Sequence, residues 1–194
     1  MKIIISALVT LVALFVIVLI FIYSGWYNVS AINEEGGIIK WVVITTSNNS
    51  IESRSKEISV PDLNDPEMIR EGFEHYKEMC VSCHGAPGQN QTELSKGLNP
   101  PAPYLVKSAN NIDPRELFWV TKNGIKMTGM PAWGKTHSDD KIWAIVAFMK
   151  KLPTITDVEY EKMESEFGVA EEDHETSDET KDHKNSINED EHHH

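Results

Sequence analysis

The sequence is poor in cysteine. Two cysteines among 194 residues are too few for a disulfide framework. An excess of positive charge is also missing: Lys and Arg number 18 against 30 Asp and Glu, for a net charge of −12. That excludes a basic nucleic-acid-binding face as the main theme, because phosphate affinity needs clustered Lys and Arg. Most of the chain lacks a charge imbalance of either sign. Residues 1–152 hold 15 acidic and 15 basic side chains, whereas residues 153–194 hold 15 acidic side chains and three lysines. The chain is thus a neutral body with an acidic tail. Alternating strand patterns are absent from residues 65–152. The length allows one ordinary domain plus extras.

Charge is missing altogether from Ile3 to Tyr23, a run of 21 residues rich in Leu, Ile and Val. At about 1.5 Å per helical residue it spans a hydrocarbon core of about 30 Å. Lys2 and the terminal amine precede it, Tyr23, Trp26 and Tyr27 mark its far end, and the next charges are Glu34 and Glu35. Positive charge on the N-terminal side places that end in the cytoplasm, and aromatic rings suit the membrane–water interface. The expectation is a single-pass anchor in the cytoplasmic membrane, with the rest on the periplasmic (outer) face. A cleaved signal peptide is the competing reading. The run is too long for one, and the nearest small-residue site, Val29-Ser30-Ala31, lies far past it. Either way the remainder is exported.

Residues 24–64 read as a linker or neck. Asn, Ser, Gly and Glu dominate, broken by the β-branched run from Ile38 to Thr46, which is expected as one strand. As a coil, these residues would reach on the order of 35 Å. A partly ordered neck packed on the domain or on the lipid is the alternative.

A compact domain starts at Asp65-Pro66-Glu67, with Asp as N-cap and Pro at the first helical position. Ile69, Phe73 and Tyr76 give the first helix an apolar face. Asp113-Pro114-Arg115-Glu116 opens a second helix, which runs to the stop signal Asn123-Gly124. Ser138-Asp139-Asp140 opens a third, with Ile142, Ile145, Val146 and Met149 inward and Lys150-Lys151 at its C-terminal dipole end. Pro153 ends it. So small a core usually needs help from a metal, disulfide or cofactor.

That help is written at Cys80-Val81-Ser82-Cys83-His84. In C-x-x-C-H, two thiols one helical turn apart add to the two vinyl groups on one edge of a haem, and the adjacent His turns onto the iron. Both cysteines are used. A redox-active CxxC would want a βαβ context, and a structural zinc site would want four ligands; neither is present. One covalent haem c is therefore expected.

The second axial position is sought in residues 124–134, Gly-Ile-Lys-Met-Thr-Gly-Met-Pro-Ala-Trp-Gly. Thioether sulfur is a soft ligand, and a Met/His pair raises the reduction potential. Met130 precedes a proline, which biases it to an extended loop, and Gly129 removes a side chain from the path of the porphyrin. Met127 has neither feature and is read as a packing residue near the haem. His75 and His137 are rival ligands in principle, and both are expected to face solvent.

On CVSCHG (80–85), GMPAWG (129–134) and the flanking helices, the segment from Asp65 to Pro153 resembles class I c-type cytochromes, the bacterial mono-haem kind. Gly72 and Tyr76 occupy the family's Gly-x-x-x-aromatic place, and Phe148 resembles the aromatic of the C-terminal helix that crosses there. The resemblance implies an all-α fold around one haem, His84 as proximal ligand and Met130 as distal ligand. It also implies a backbone carbonyl in the stretch Asn99 to Pro103 that accepts the Nδ1–H of His84. With the anchor and neck, the chain looks like a membrane-anchored subgroup of these cytochromes.

Two protein ligands saturate the iron, so the expected function is one-electron exchange in a membrane-bound redox chain, not catalysis. Its partners would be redox proteins, a donor and an acceptor. A haem-bearing subunit of an oxidase or dehydrogenase, and a sensor or peroxidase with a displaceable Met, are the alternatives. After Pro153, Thr156-Asp157 caps one further amphipathic turn or two, with Val158 and Met163 as anchors. From about Gly168 the composition predicts disorder. His174, His183 and His192 to His194, beside Asp and Glu, offer a possible divalent-metal site.

Overall fold

The computed structural model describes residues 1–33 and 36–167. Among them there are helices, short 3₁₀ turns and one isolated β-bridge between Ala86 and Gln89, with no strand. The first helix, α1 (Lys2–Tyr23), is long and apolar enough to cross a membrane, and none of it is buried against protein. Its far end is marked by rings: Trp26 and Tyr27 lie 6.4 and 6.5 Å from Phe21.

The strand expected over Ile38–Thr46 does not form. Those residues belong to α2 (Gly37–Ser55). A lone strand has no neighbour to pair its backbone groups, whereas a helix satisfies its own, and β-branching is only a weak counterweight. No proline interrupts the segment. The polar second half of α2 packs on α7 (Pro114–Asn123). Ser55 is buried there, and Arg115 Nη1 donates to the Lys56 carbonyl at 3.3 Å. The neck therefore holds a helix of 19 residues, about 28 Å long, in place of a coil. Beyond it, Ile58 and Leu63 pack on the core.

α3 (Pro66–Met79) starts as its sequence dictates. The Asp65 carboxylate accepts from the Glu67 N–H at 3.0 Å, and Pro66 takes the first helical position. α8 (Asp139–Lys151) is capped by Ser138. The two helices cross at Gly72, where a Cβ would overlap the Ala144 carbonyl. Only a residue without a side chain lets the backbones approach so closely. Around the crossing, Phe148 lies 5.4 Å from Phe73 and 5.3 Å from Tyr76, in edge-on and tilted arrangements. Offset aromatic pairs of this kind add about 0.5–1.5 kcal/mol each beyond their buried area. The expected Gly72, Tyr76 and Phe148 cluster is thus present.

α7 is capped by Asp113, and its chain reverses at Gly124, which has a φ of +65°. Trp143 of α8 stacks on Phe118 of α7, with centroids 4.2 Å apart. Lys150 reaches back from α8 and donates to the carbonyls of Ala109, Asn110 and Ile112 at 2.9–3.1 Å, tying that turn to α8.

The packed body continues past Pro153. α9 (Asp157–Phe167) begins with a capping box: the Glu159 carboxylate accepts from the Thr156 N–H at 2.8 Å, and Thr156 Oγ1 accepts from the Glu159 N–H at 3.3 Å. Its anchors are Tyr160 and Phe167, 5.5 and 5.9 Å from Phe73, with Met163 half-buried. Met163 behaves as expected, but Val158 is exposed. Val158 lies two residues from Tyr160, and positions two apart do not share a helix face. The tail histidines and the disorder expected from Gly168 lie outside the described residues.

Candidate functional site: the CxxCH turn and the methionine loop

α3 delivers Cys80 at its C-terminus, and α4 (Val81–His84) is the one further turn that carries Cys83 and His84. The turn is closed by Cys83 N–H and His84 N–H, both donating to the Cys80 carbonyl at 3.1 and 2.8 Å. It stops at Gly85, whose φ of +73° and contact with the Tyr104 ring both require glycine. Cys80 is buried, and burial followed by the nearby Cys83 pushes its thiol up to about 12. Cys83 is half-buried.

The carbonyls of this turn are held from outside. Tyr76 Oη donates to the Gly85 carbonyl at 2.8 Å. Ser95 Oγ and Gln91 Nε2 donate to the Cys83 carbonyl at 2.7 and 3.3 Å, and Thr92 Oγ1 donates to that of Ser82. Gln91 Nε2 also reaches the Ala102 carbonyl at 2.8 Å. These polar clamps were not among the expected site residues. The signal available was Thr92 as N-cap of α5 (Glu93–Lys96), which places Ser95 and Gln91 behind the turn.

His84 Nδ1 lies 2.9 Å from the Pro103 carbonyl oxygen. A carbonyl only accepts, so Nδ1 carries the proton and Nε2 keeps its lone pair. The expected carbonyl in the Asn99–Pro103 stretch is therefore that of Pro103. Burial lowers the His84 pKa, with the Pro103 bond opposing it in part, which favours the neutral ring that a metal ligand needs.

The methionine loop is tied across its neck. Ile125 N–H donates to the Met130 carbonyl at 3.2 Å, Met130 N–H to Thr128 Oγ1 at 3.1 Å, and Thr128 Oγ1 to the Ile125 carbonyl at 2.8 Å. Gly124 is pressed against this neck; a Cβ there would meet the Met130 carbonyl oxygen and Pro131 at 2.8 Å. Gly129 approaches the Leu98 side chain. Met130 is half-buried in this frame. Met127 is not the packing residue expected: it is 96% exposed, with a φ of 62° that turns it out of the loop.

His75 and His137, expected in solvent, meet each other instead. Their rings lie 5.5 Å apart and edge-on, and the Trp133 ring stands 5.6 Å from His137. Both are half-buried, because α3 and the turn at Trp133–Lys135 converge there. Among the described residues, no group of three or more His, Cys, Asp or Glu side chains is arranged to hold a metal ion.

The donor set therefore comprises two thiols one helical turn apart, an imidazole with a free Nε2 and a thioether on a braced loop. These are donor types that haem attachment and axial ligation use. Residues 67–149 match the family model described as cytochrome C oxidase, cbb3-type, subunit III. The matched span contains both the CxxCH turn and the methionine loop, and leaves out α1, α2 and α9. No curated protein matches the chain. With fold, donor set and family match in agreement, residues 67–149 are a c-type cytochrome domain, a module of electron transfer, set behind one apolar N-terminal helix compatible with a single-pass anchor.

Proposed function

We propose that this chain is a one-electron carrier of a membrane-bound respiratory or related redox chain. One haem c is attached through Cys80 and Cys83, with His84 and Met130 as the two axial ligands. The observation that carries this reading is the His84–Pro103 bond, which fixes the tautomer and ring orientation with Nε2 unprotonated. When bound, the haem supplies the Fe(III)/Fe(II) couple. The residues hold its surroundings constant between the two oxidation states. Tyr76, Ser95 and Gln91 fix the attachment turn, and the Thr128 bridge fixes the backbone of Met130. Small reorganisation favours electron exchange, and two protein ligands leave no position for a substrate, so the chain is not an enzyme in this reading.

Charge asymmetry about α1, with Lys2 and the terminal amine before it and acidic residues after it, supports an N-terminus in the cytoplasm and a cytochrome domain on the periplasmic face. Absorption spectra test the ligands. Met130→Ala yields a high-spin or ligand-exchanged haem of lower potential, and Met127→Ala leaves the spectrum unchanged. A low-spin spectrum retained in Met130→Ala refutes the assignment. Carbon monoxide added to the reduced protein leaves the spectrum unchanged; a shift would favour a sensor or peroxidase. The description of the matched family model favours a second reading, a haem-bearing subunit docked in an oxidase. Sizing after mild detergent extraction separates a free carrier from a complex.

A further inference from the structure

We propose that the first half of α2, residues 38–44, is seated in the outer interface of the bilayer that α1 spans, so that α2 acts as a strut and not a tether. The proposal rests on the reading of α1 as an anchor. Ile38, Ile39, Trp41, Val42, Val43 and Ile44 are all exposed, Trp41 at 66% and Val43 at 60%. At 100° per residue these six side chains point to every side of the helix, and between Gly36 and Ile51 the only charge is Lys40. A helix that docks on a protein shows one apolar stripe; a helix apolar all round needs an apolar medium all round. That distinction favours lipid over a partner protein or a second copy.

Length and position agree. Residues 37–46 span about 15 Å, half a hydrocarbon core, the size of an interfacial segment and too short to cross. They follow α1 after thirteen residues, 24–36. At one end of that connector Trp26 and Tyr27 lie against Phe21 of α1. Near its other end the Asn99 side chain donates to the carbonyls of Ala31 and Asn33 at 3.1 and 3.2 Å. These bonds tie the connector to the cytochrome domain shortly before α2 begins. Trp41 suits the headgroup level, and the Lys40 stem lets its ammonium reach the headgroups. The second half of α2 is polar and packs on α7, so the helix passes unbroken from lipid to domain and sets the height of the cytochrome domain.

The test is spin-label accessibility in the full-length holoprotein reconstituted in phosphatidylcholine/phosphatidylglycerol vesicles. In the proposed holoprotein the native cysteines are occupied by thioether bonds, and the wild type serves as the unlabelled blank. Single substitutions Ile39→Cys, Val43→Cys, Asn49→Cys and Leu14→Cys carry the label. Labels at 39 and 43 are expected to be reached severalfold better by oxygen than by an aqueous nickel chelate, with the order reversed at 49. Labels at 39 and 43 as open to nickel as that at 49 overturn the proposal. Protection at 39 and 43 from both reagents also overturns it, and identifies a protein cover. A label at 14 open to nickel shows instead that the anchor reading has failed.

Discussion

Replacing Gly72 by alanine sets two known effects against each other at one atom. In an unhindered helix, Gly→Ala stabilises by about 1 kcal/mol through backbone entropy. At Gly72 the new Cβ would overlap the Ala144 carbonyl and press on Phe148 Cβ at 3.0 Å. The obstacle is backbone, not the end of a flexible side chain, so α3 and α8 must part. Overpacking of this kind costs about 1–3 kcal/mol. Separating the helices also loosens the Phe73, Tyr76 and Phe148 cluster, which puts the cost at the upper end. The net expectation is a loss of about 2 kcal/mol, or about 10 °C in Tm for a body of this size. Gly37, the first residue of α2, has nothing within 4 Å of its Cβ position. Gly37→Ala is therefore the control, within about 0.5 kcal/mol of the parent. Thermal unfolding of the holoprotein followed by Soret circular dichroism reads both. A Gly72→Ala variant as stable as the parent, or more stable, refutes the close crossing.

Tyr160 is fully buried, yet its hydroxyl has no hydrogen-bond partner among the described residues. An unsatisfied buried hydroxyl costs about 1–3 kcal/mol, so Tyr160→Phe should raise Tm by about 5 °C; a fall would mean that the hydroxyl is paired in solution. Asp113 is held at about 2 by its hydrogen bonds from the Arg115 side chain and backbone and by the guanidinium charge. A folded-state pKa below the ordinary 3.8 gives stability that is present above about pH 4 and lost as pH falls toward 2. Because the pair is more than a third exposed, the effect is below about 1 kcal/mol. Asp113→Asn should flatten that part of the acid limb in a denaturant–pH series, and an unchanged limb would show the pair to be idle.

Helix starts were the most legible feature of the sequence. Asp65-Pro66, Asp113-Pro114 and Ser138-Asp139 act within four residues of themselves, and each cap forms as expected. The helical turn at Cys80–His84 was legible for the same reason. What the sequence hid depends on distant chain. Which carbonyl meets His84 is decided by how the Asn99–Pro103 stretch lies over α4. Whether Ile38–Thr46 forms a strand is decided by the absence of a pairing neighbour and by the α7 surface beneath the rest of α2. His75 and His137 are 62 positions apart in the numbering and gave no sign of contact. Met127 and Met130 differ by a backbone turn, marked by the φ of 62° at Met127 and by the Thr128 bridge.

The charge of −12 divides further than composition showed. Residues 157–167 carry five acids and one lysine, a net −4, and the described α9 holds them against the body; residues 168–194 carry ten acids and two lysines, a net −8. Charges fixed on α9 belong to the shape that a redox partner meets. The remaining −8 is expected to act through the long-range field, which steers encounter and is screened within about 10 Å at 0.1 M salt. Deleting 168–194 should therefore change the second-order rate of electron transfer at low ionic strength, slowing reaction with a basic partner and speeding it with an acidic one. At physiological salt the rates should converge, because close contacts at the docking face are unaltered. Stopped-flow rates against ionic strength for full-length and shortened protein measure both limbs. Parallel curves would show that the tail has no part in encounter, and that docking is set by the neutral body and α9 alone.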